Sequence, residues 1–157
     1  MKVTGSNITI TDSVVNKMDI LPLGNAEQDT YTGKNKLNNT VTTTTTTSGG
    51  ITCTPNNDGS FTLNGTSTAT VFFRLSQTQD FGTTDFSSIN NISDSYKSIL
   101  INGTNVVTLN YTHANLVTAI RIASGTTLNN LKVYPMILLK TETNETFEKY
   151  VRWNTKS

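Results

Sequence analysis

Few side chains in this sequence are of a kind that does chemistry, and their spacing limits what they can do. His113 is the single histidine and Cys53 the single cysteine. A Ser-His-Asp or Cys-His nucleophile would have to use His113. That residue stands in Tyr-Thr-His-Ala-Asn, between two strand-like segments, where a surface turn residue is expected. Glu142, Glu145 and Glu148 recur every third residue, and paired carboxyls are the machinery of glycoside hydrolysis. Lys140, Lys149 and Arg152 offset them, so the expectation is a solvated polar tail. No catalytic residue is assigned, and the chain is expected not to be an enzyme. Asn56, Asn57 and Asp58 are adjacent oxygen ligands of the kind calcium uses, but with Gly59 they are also what a hairpin turn demands. One thiol cannot build a thiolate zinc site, and the scattered glycines form no phosphate loop. No metal and no cofactor are expected.

Aromatic side chains are the remaining chemical resource, because sugar rings stack on faces that pair an apolar surface with a polar edge. Tyr96, Tyr111 and Trp153, with Phe81 and Phe86, are candidate carbohydrate contacts; Asp85 and Arg121 could supply hydrogen bonds. Phe81, Asp85, Phe86 and Tyr96 fall in a polar stretch from Ser76 to about Lys97. So long a stretch with little periodicity is unusual inside a compact domain and often functional. Its Asn90–Tyr96 part has room for one helical turn. Seven Asn-x-Ser/Thr triplets begin at Asn7, Asn38, Asn64, Asn91, Asn102, Asn110 and Asn144. The abundance of these residue types explains them by chance.

The elements that must position these residues follow from composition. The chain has 157 residues, 34% of them hydrophobic and 15% charged, with a formal net charge of +1. The balance is taken by 31 threonines and 19 asparagines. Low hydrophobicity without high net charge is not the usual mark of disorder. Threonine favours strands and asparagine favours turns, so the expected class is all-β, with one domain's worth of chain. With 12 basic against 11 acidic residues and no basic cluster, nucleic acid is not an expected partner. The longest apolar run, Met136-Ile137-Leu138-Leu139, is too short for a membrane span, and the first residues lack a secretory pattern.

Residues 1–36 contain two short strand-like pieces, Asn7–Ile10 and Asp19–Leu23, and a polar connector. They are expected to form an N-terminal arm that docks on its own domain or on another chain, ahead of a β-sandwich over 37–157. The threonine run Thr42–Thr47 predicts an edge strand. Ile51-Thr-Cys-Thr-Pro, Asn57-Asp58-Gly59 and Phe61-Thr-Leu predict a β-hairpin. In the next strand Ala69, Val71, Phe73 and Leu75 share one face while Phe72 and Arg74 point the other way. Lys97–Gly103, Asn105–Tyr111, Asn115–Ala123 and Leu128–Leu139 complete about seven or eight short strands, as a two-sheet sandwich requires.

The stretch Gly50–Leu75 (GITCTPNNDGSFTLNGTSTATVFFRL) resembles a segment common in tail and baseplate proteins of phages that infect Gram-positive bacteria. Its usual form there is a Gly-Ile/Val-Thr-Phe-Thr strand, an Asn-Asp-Gly turn and a Thr-Val-Asn-Gly-Thr strand. Leu128–Tyr150, with Asn-Leu-Lys-Val-Tyr-Pro-Met and Thr-Phe-Glu-Lys-Tyr, is similar to the end of the same modules. Asp12–Asn35 is similar to the linker that often precedes them. The resemblance implies a jelly-roll-like antiparallel β-sandwich of the carbohydrate-binding-module type, carried on a virion and holding it to host cell-surface polysaccharide. It implies no catalytic residue. Phe147-Glu-Lys-Tyr departs from the usual Tyr-Glu-Pro-Tyr, and Gln77–Tyr96 lacks the family's glycine-rich and tryptophan-bearing loops. The expected partners are other virion proteins through the arm, with the protein a homo-oligomer or present in multiple copies on the particle. The alternative expectation is a capsid or tail decoration protein that stabilises the particle without specific glycan binding. The uncharged composition suits contact with neutral sugars or with other subunits.

Overall fold

The computed structural model describes residues 33–40, 42–82, 84–86 and 95–151. The chain divides into two units, Met1–Tyr31 and Thr32–Ser157, and every described residue belongs to the second. The arm before Gly33, Trp153 and most of the helical turn expected over Asn90–Tyr96 lie outside the described residues.

Eight strands follow in order: β1 (Thr46–Ser48), β2 (Ile51–Pro55), β3 (Phe61–Thr66), β4 (Val71–Arg74), β5 (Tyr96–Ile101), β6 (Val107–Thr112), β7 (Val117–Ile122) and β8 (Thr127–Leu139). A 3-10 turn, His113–Asn115, links β6 to β7 and is the one helical element among the described residues. The strands form a five-stranded sheet in the order β1-β2-β3-β8-β5 and a three-stranded sheet in the order β4-β7-β6. Every pairing is antiparallel. The chain changes sheet after β3, β4, β5 and β7, which makes the sandwich jelly-roll-like. The threonine run is strand only from Thr46 onward, at the edge of the larger sheet.

Period-two alternation builds the core. Ile51 and Cys53 on β2, Phe61 and Leu63 on β3, and Val71 and Phe73 on β4 are buried, while Phe72 and Arg74 are exposed. Val107, Leu109 and Tyr111 on β6 and Ile120 and Ile122 on β7 join Val71 and Phe73 on the inner face of the three-stranded sheet, in one core cluster with the buried residues of β2 and β3. Each large apolar side chain so enclosed contributes about 1.5–3 kcal/mol. Outward threonines bond across strands instead: Thr47 to Thr52 at 3.1 Å and Thr66 to Thr127 at 3.0 Å.

The β2–β3 turn works through its side chains. Asn56 N–H donates to the Ser60 carbonyl and Gly59 N–H to the Asn56 carbonyl, with Gly59 at φ 89°. The Asp58 carboxylate accepts the Ser60 N–H and hydroxyl and lies 3.0 Å from Lys132 Nζ. Those bonds, the serine's foremost, hold its pKa down to about 2. At the other end of the hairpin, a Cβ on Gly50 would stand 2.1 Å from the Thr66 carbonyl oxygen. A Cβ on Gly65 would stand 2.2 Å from that of Gly50, and both glycines have positive φ.

A second, smaller core lies on β5 and the C-terminal half of β8. Ile99, Met136 and Leu138 are buried there, with Ile101 and Phe147 packed against them. The segment after β8 thus covers the larger sheet. Lys97 Nζ holds it through the Glu142 carbonyl and Glu145 carboxylate. Glu148 N–H reaches Met136 Sδ at 3.4 Å. The expectation of a solvated tail at Glu142, Glu145 and Glu148 is therefore corrected: Glu148 is half-buried, and its Oε1 accepts the Lys34 N–H at 2.8 Å. The described chain also reaches in front of the expected boundary at residue 37. Asn35, 2% exposed, accepts the N–H groups of Leu37 and Ile137 on its Oδ1 and donates to the Glu148 carbonyl from Nδ2.

Candidate functional site

Four of the residues expected to contact sugar meet in one cluster. Phe81 packs edge-on against Tyr96, with ring centroids 5.4 Å apart, and against Tyr111 at 5.7 Å. Phe86 stacks on Tyr111 at 5.1 Å, and the two strands of chain exchange backbone hydrogen bonds there. Phe81, Phe86 and Tyr111 are buried; Tyr96 is half-buried at the start of β5. The rings pack against one another, face to face only between Phe86 and Tyr111. The cluster anchors Phe81 and Phe86 to Tyr111 on β6, so these two residues of the expected long loop are packed chain.

The polar members secure the same anchor. The Tyr111 hydroxyl accepts the Phe81 N–H at 3.1 Å and donates to Asp80 Oδ1 at 3.2 Å. Burial, and then Asp80, raise the phenol pKa above its ordinary value. Asp80 in turn is lowered, first by the Gly82 N–H. Exposed Asp85 accepts the main-chain N–H of His113. The His113 ring, partly exposed in the 3-10 turn, has Nδ1 3.6 Å from Asp80 Oδ1, an ion pair only when the imidazole is protonated. Cys53 is fully buried in the sandwich core, and burial pushes its thiol up to about 12. A thiol so placed is not a nucleophile at neutral pH. Among the described residues no group of three or more His, Cys, Asp and Glu could hold a metal ion.

Arg121 belongs elsewhere, on the outer face of the three-stranded sheet. Strand register sets three rows across that face. Phe72, Arg121 and Thr108 form the first; Arg74, Ala119 and Asn110 the second; Val117 and Thr112 the third. The central strand carries the small residue in the middle row. Longer side chains on both flanks then leave a depression of about 420 Å³, lined by Phe72, Arg74, Asn110, Thr112 and Val117 over Ala119, with Asn115 at its end. A neighbouring depression of about 370 Å³ opens between β4 and the threonine run, lined by Thr42, Thr43, Thr44 and Thr46. Phe72 and Arg74 line both. Phe72 is 55% exposed, a large apolar ring in water.

No family model, curated protein or solved structure matches the chain.

The rows therefore have to be read by their own chemistry. An exposed ring beside amide, hydroxyl and guanidinium groups is the inventory of a polar, ring-shaped ligand: one face to stack on, several groups to bond with. Sequence reasoning picked Arg121 but missed Phe72, Arg74 and Asn110. The signal was present in β4, where strict alternation puts an aromatic residue and an arginine on the side away from the core. A single exposed phenylalanine is ordinary by itself; this one stands apart because it lines both depressions.

Proposed function

We propose that this chain is a non-enzymatic structural protein of a phage virion whose β-sandwich adheres to host-surface glycan through the outer face of its three-stranded sheet. The observation that carries the binding reading is Phe72: more than half exposed, at the junction of two depressions, one lined by Asn110 and Thr112 and the other by the threonine run. The virion setting rests on the resemblance of Gly50–Leu75 and Leu128–Tyr150 to phage tail and baseplate modules, which the jelly-roll-like sandwich suits. In this reading the arm before Gly33 holds other virion proteins, the protein is present in several copies, and neither cofactor nor catalytic residue is involved. Tyr111, Phe81 and Phe86 shape the domain, and the sugar meets Phe72 and Arg121.

The test is a host cell-wall pulldown and glycan array with the purified protein and its Phe72→Ala variant. Binding by the parent and its loss in the variant, at unchanged melting temperature, is the expected result. Absence of binding to every glycan and to the host wall would sink the adhesion reading.

One observation favours a second reading, that of a capsid or tail decoration protein. β1 is an edge strand whose three residues are all exposed, and an open edge is a template for pairing with another chain. Locating the protein on imaged particles separates the two: tail tip for adhesion, capsid lattice for decoration.

A further inference from the structure

Among the described residues, the outer face of the three-stranded sheet carries two cations and no anion. Arg74 and Arg121 come from adjacent strands one row apart and are diagonal neighbours: Phe72 lies opposite Arg121, and Arg74, which lines both depressions, is two residues further along β4, while Arg121 stands at their margin. Neither guanidinium has a hydrogen-bond or ion-pair partner among the described residues. The ion pairs found there involve Lys97 with Glu145, His113 with Asp80, and Lys132 with Asp58. No carboxylate lines either depression. In a chain with almost equal numbers of acidic and basic residues, two arginines left without an acid among the described residues, on a face that also exposes an aromatic ring, are a local charge excess. A guanidinium is a planar fork that matches carboxylate and phosphate oxygens, and it loses less in desolvation than an ammonium does.

We propose that this face selects an acidic saccharide, one carrying a carboxylate or a phosphate, and that it takes at least two adjoining sugar units. The inference rests on the glycan-binding reading above and narrows it. One sugar stacks on Phe72. The anionic group sits between Arg74 and Arg121, over the small Ala119. The neighbouring unit runs into the threonine-lined depression, where hydroxyls of Thr43, Thr44 and Thr46 meet hydroxyls of the sugar. A neutral saccharide could accept hydrogen bonds from both guanidinium groups but would leave their charge uncompensated in the contact. The composition suited neutral sugars or other subunits; the register of β4 against β7 argues for charged sugars.

The experiment is a glycan array holding neutral, carboxylated and phosphorylated saccharides, with a single-stranded oligonucleotide as a further arm. It is read with the parent, Arg74→Gln, Arg121→Gln and the double variant. Glutamine keeps much of the side chain and some hydrogen bonding while removing the charge. The expected result is binding confined to acidic glycans, weakened about tenfold or more by each substitution and weakened by added salt. The carboxylated and phosphorylated arms tell which anion is preferred. Equal binding of neutral glycans, unaffected by either substitution, would overturn this inference and leave the adhesion reading standing. Binding to no glycan would overturn both. Tighter binding of the oligonucleotide than of any glycan would overturn this inference in favour of a nucleic-acid contact. Melting temperatures of all variants confirm that the sandwich is intact.

Discussion

The side-chain amide of Asn35 donates to the main-chain carbonyl of Glu148 at 2.9 Å, closing 113 residues of chain into one loop. The same side chain takes the N–H of Ile137 at 3.2 Å and of Leu37 at 3.0 Å. With a longer bond from its Nδ2 to the Pro135 carbonyl at 3.5 Å, one buried amide thus satisfies four main-chain groups from three segments: the stretch before β1, β8 and the C-terminal cover. Beside it, the Lys36 N–H donates to the Ile137 carbonyl at 2.8 Å.

Asn35→Leu withdraws the acceptor from two N–H groups in a buried setting, and each such loss costs about 1–3 kcal/mol. The variant is expected to fold and to lose about 2 kcal/mol or more in urea titrations. The loss should be accompanied by faster hydrogen exchange at Leu37 and Ile137. A change within error in both measurements would show that the amide does not hold these segments.

Gly50 and Gly65 face each other with no room for a methyl group on either. Gly50→Ala would place a Cβ against the Thr66 carbonyl at positive φ, so both steric overlap and backbone strain apply. A destabilisation of about 3 kcal/mol or more is expected, at the upper end for a single substitution. Gly125 is the control: it also has positive φ, but nothing lies within 4 Å of its Cβ position. Gly125→Ala should cost only the conformational strain, about 1–2 kcal/mol. Comparable losses from the two variants in thermal melts would contradict the close approach.

Asp58 predicts a pH dependence whose sign is fixed. Its pKa falls from the ordinary 3.8 to about 2 in the folded chain. The folded state therefore favours the carboxylate. Its contribution is fully present above about pH 4 and is lost as pH falls through about 2. The melting-temperature gap between parent and Asp58→Asn should be constant from neutral pH down to about pH 5 and should close toward about pH 2. Because the bonds from Ser60 lead and Lys132 contributes less, Lys132→Met should remove only a minor part of that gap. The residue is half exposed, so the whole effect is modest. A gap that widened on acidification would reverse the assignment.

Where alternation was strict, the fold was legible in the sequence. Ile51, Cys53, Phe61 and Leu63 with Asn57-Asp58-Gly59 between them could form little else, and the hairpin is where it was expected. The class followed from threonine, which the structure places outward and bonds across strands, as at Thr47 and Thr52. The second core was not foreseen. The run Pro135–Leu138 breaks alternation and is buried at every residue, the mark of a strand covered on both faces, yet nothing local says that Phe147 supplies the cover. Asn35 was equally silent, since a polar residue in a turn-rich stretch reads as exposed until its partners are known. The aromatic candidates misled for a related reason. Phe81 and Phe86 in a polar stretch look like loop residues, whereas Tyr111 gives them a place to dock. Arg121 and Phe72 share a row only through the antiparallel register of β4 and β7, which no local pattern reveals. Trp153 lies outside the described residues.

The clasp around Asn35 also sets how the domain would bear mechanical load. Tension applied between Gly33 and Val151 is carried first by the short path through Lys34, Asn35 and Glu148, and the strands between them lie off that path. A tether that pulled on both ends would have to break the clasp before it could shear the sheets. A tether that pulled on one end against a ligand held at Phe72 would load the sandwich itself. Resistance to force would then depend on which attachment is used, with the bound face and the clasp acting as separate grips.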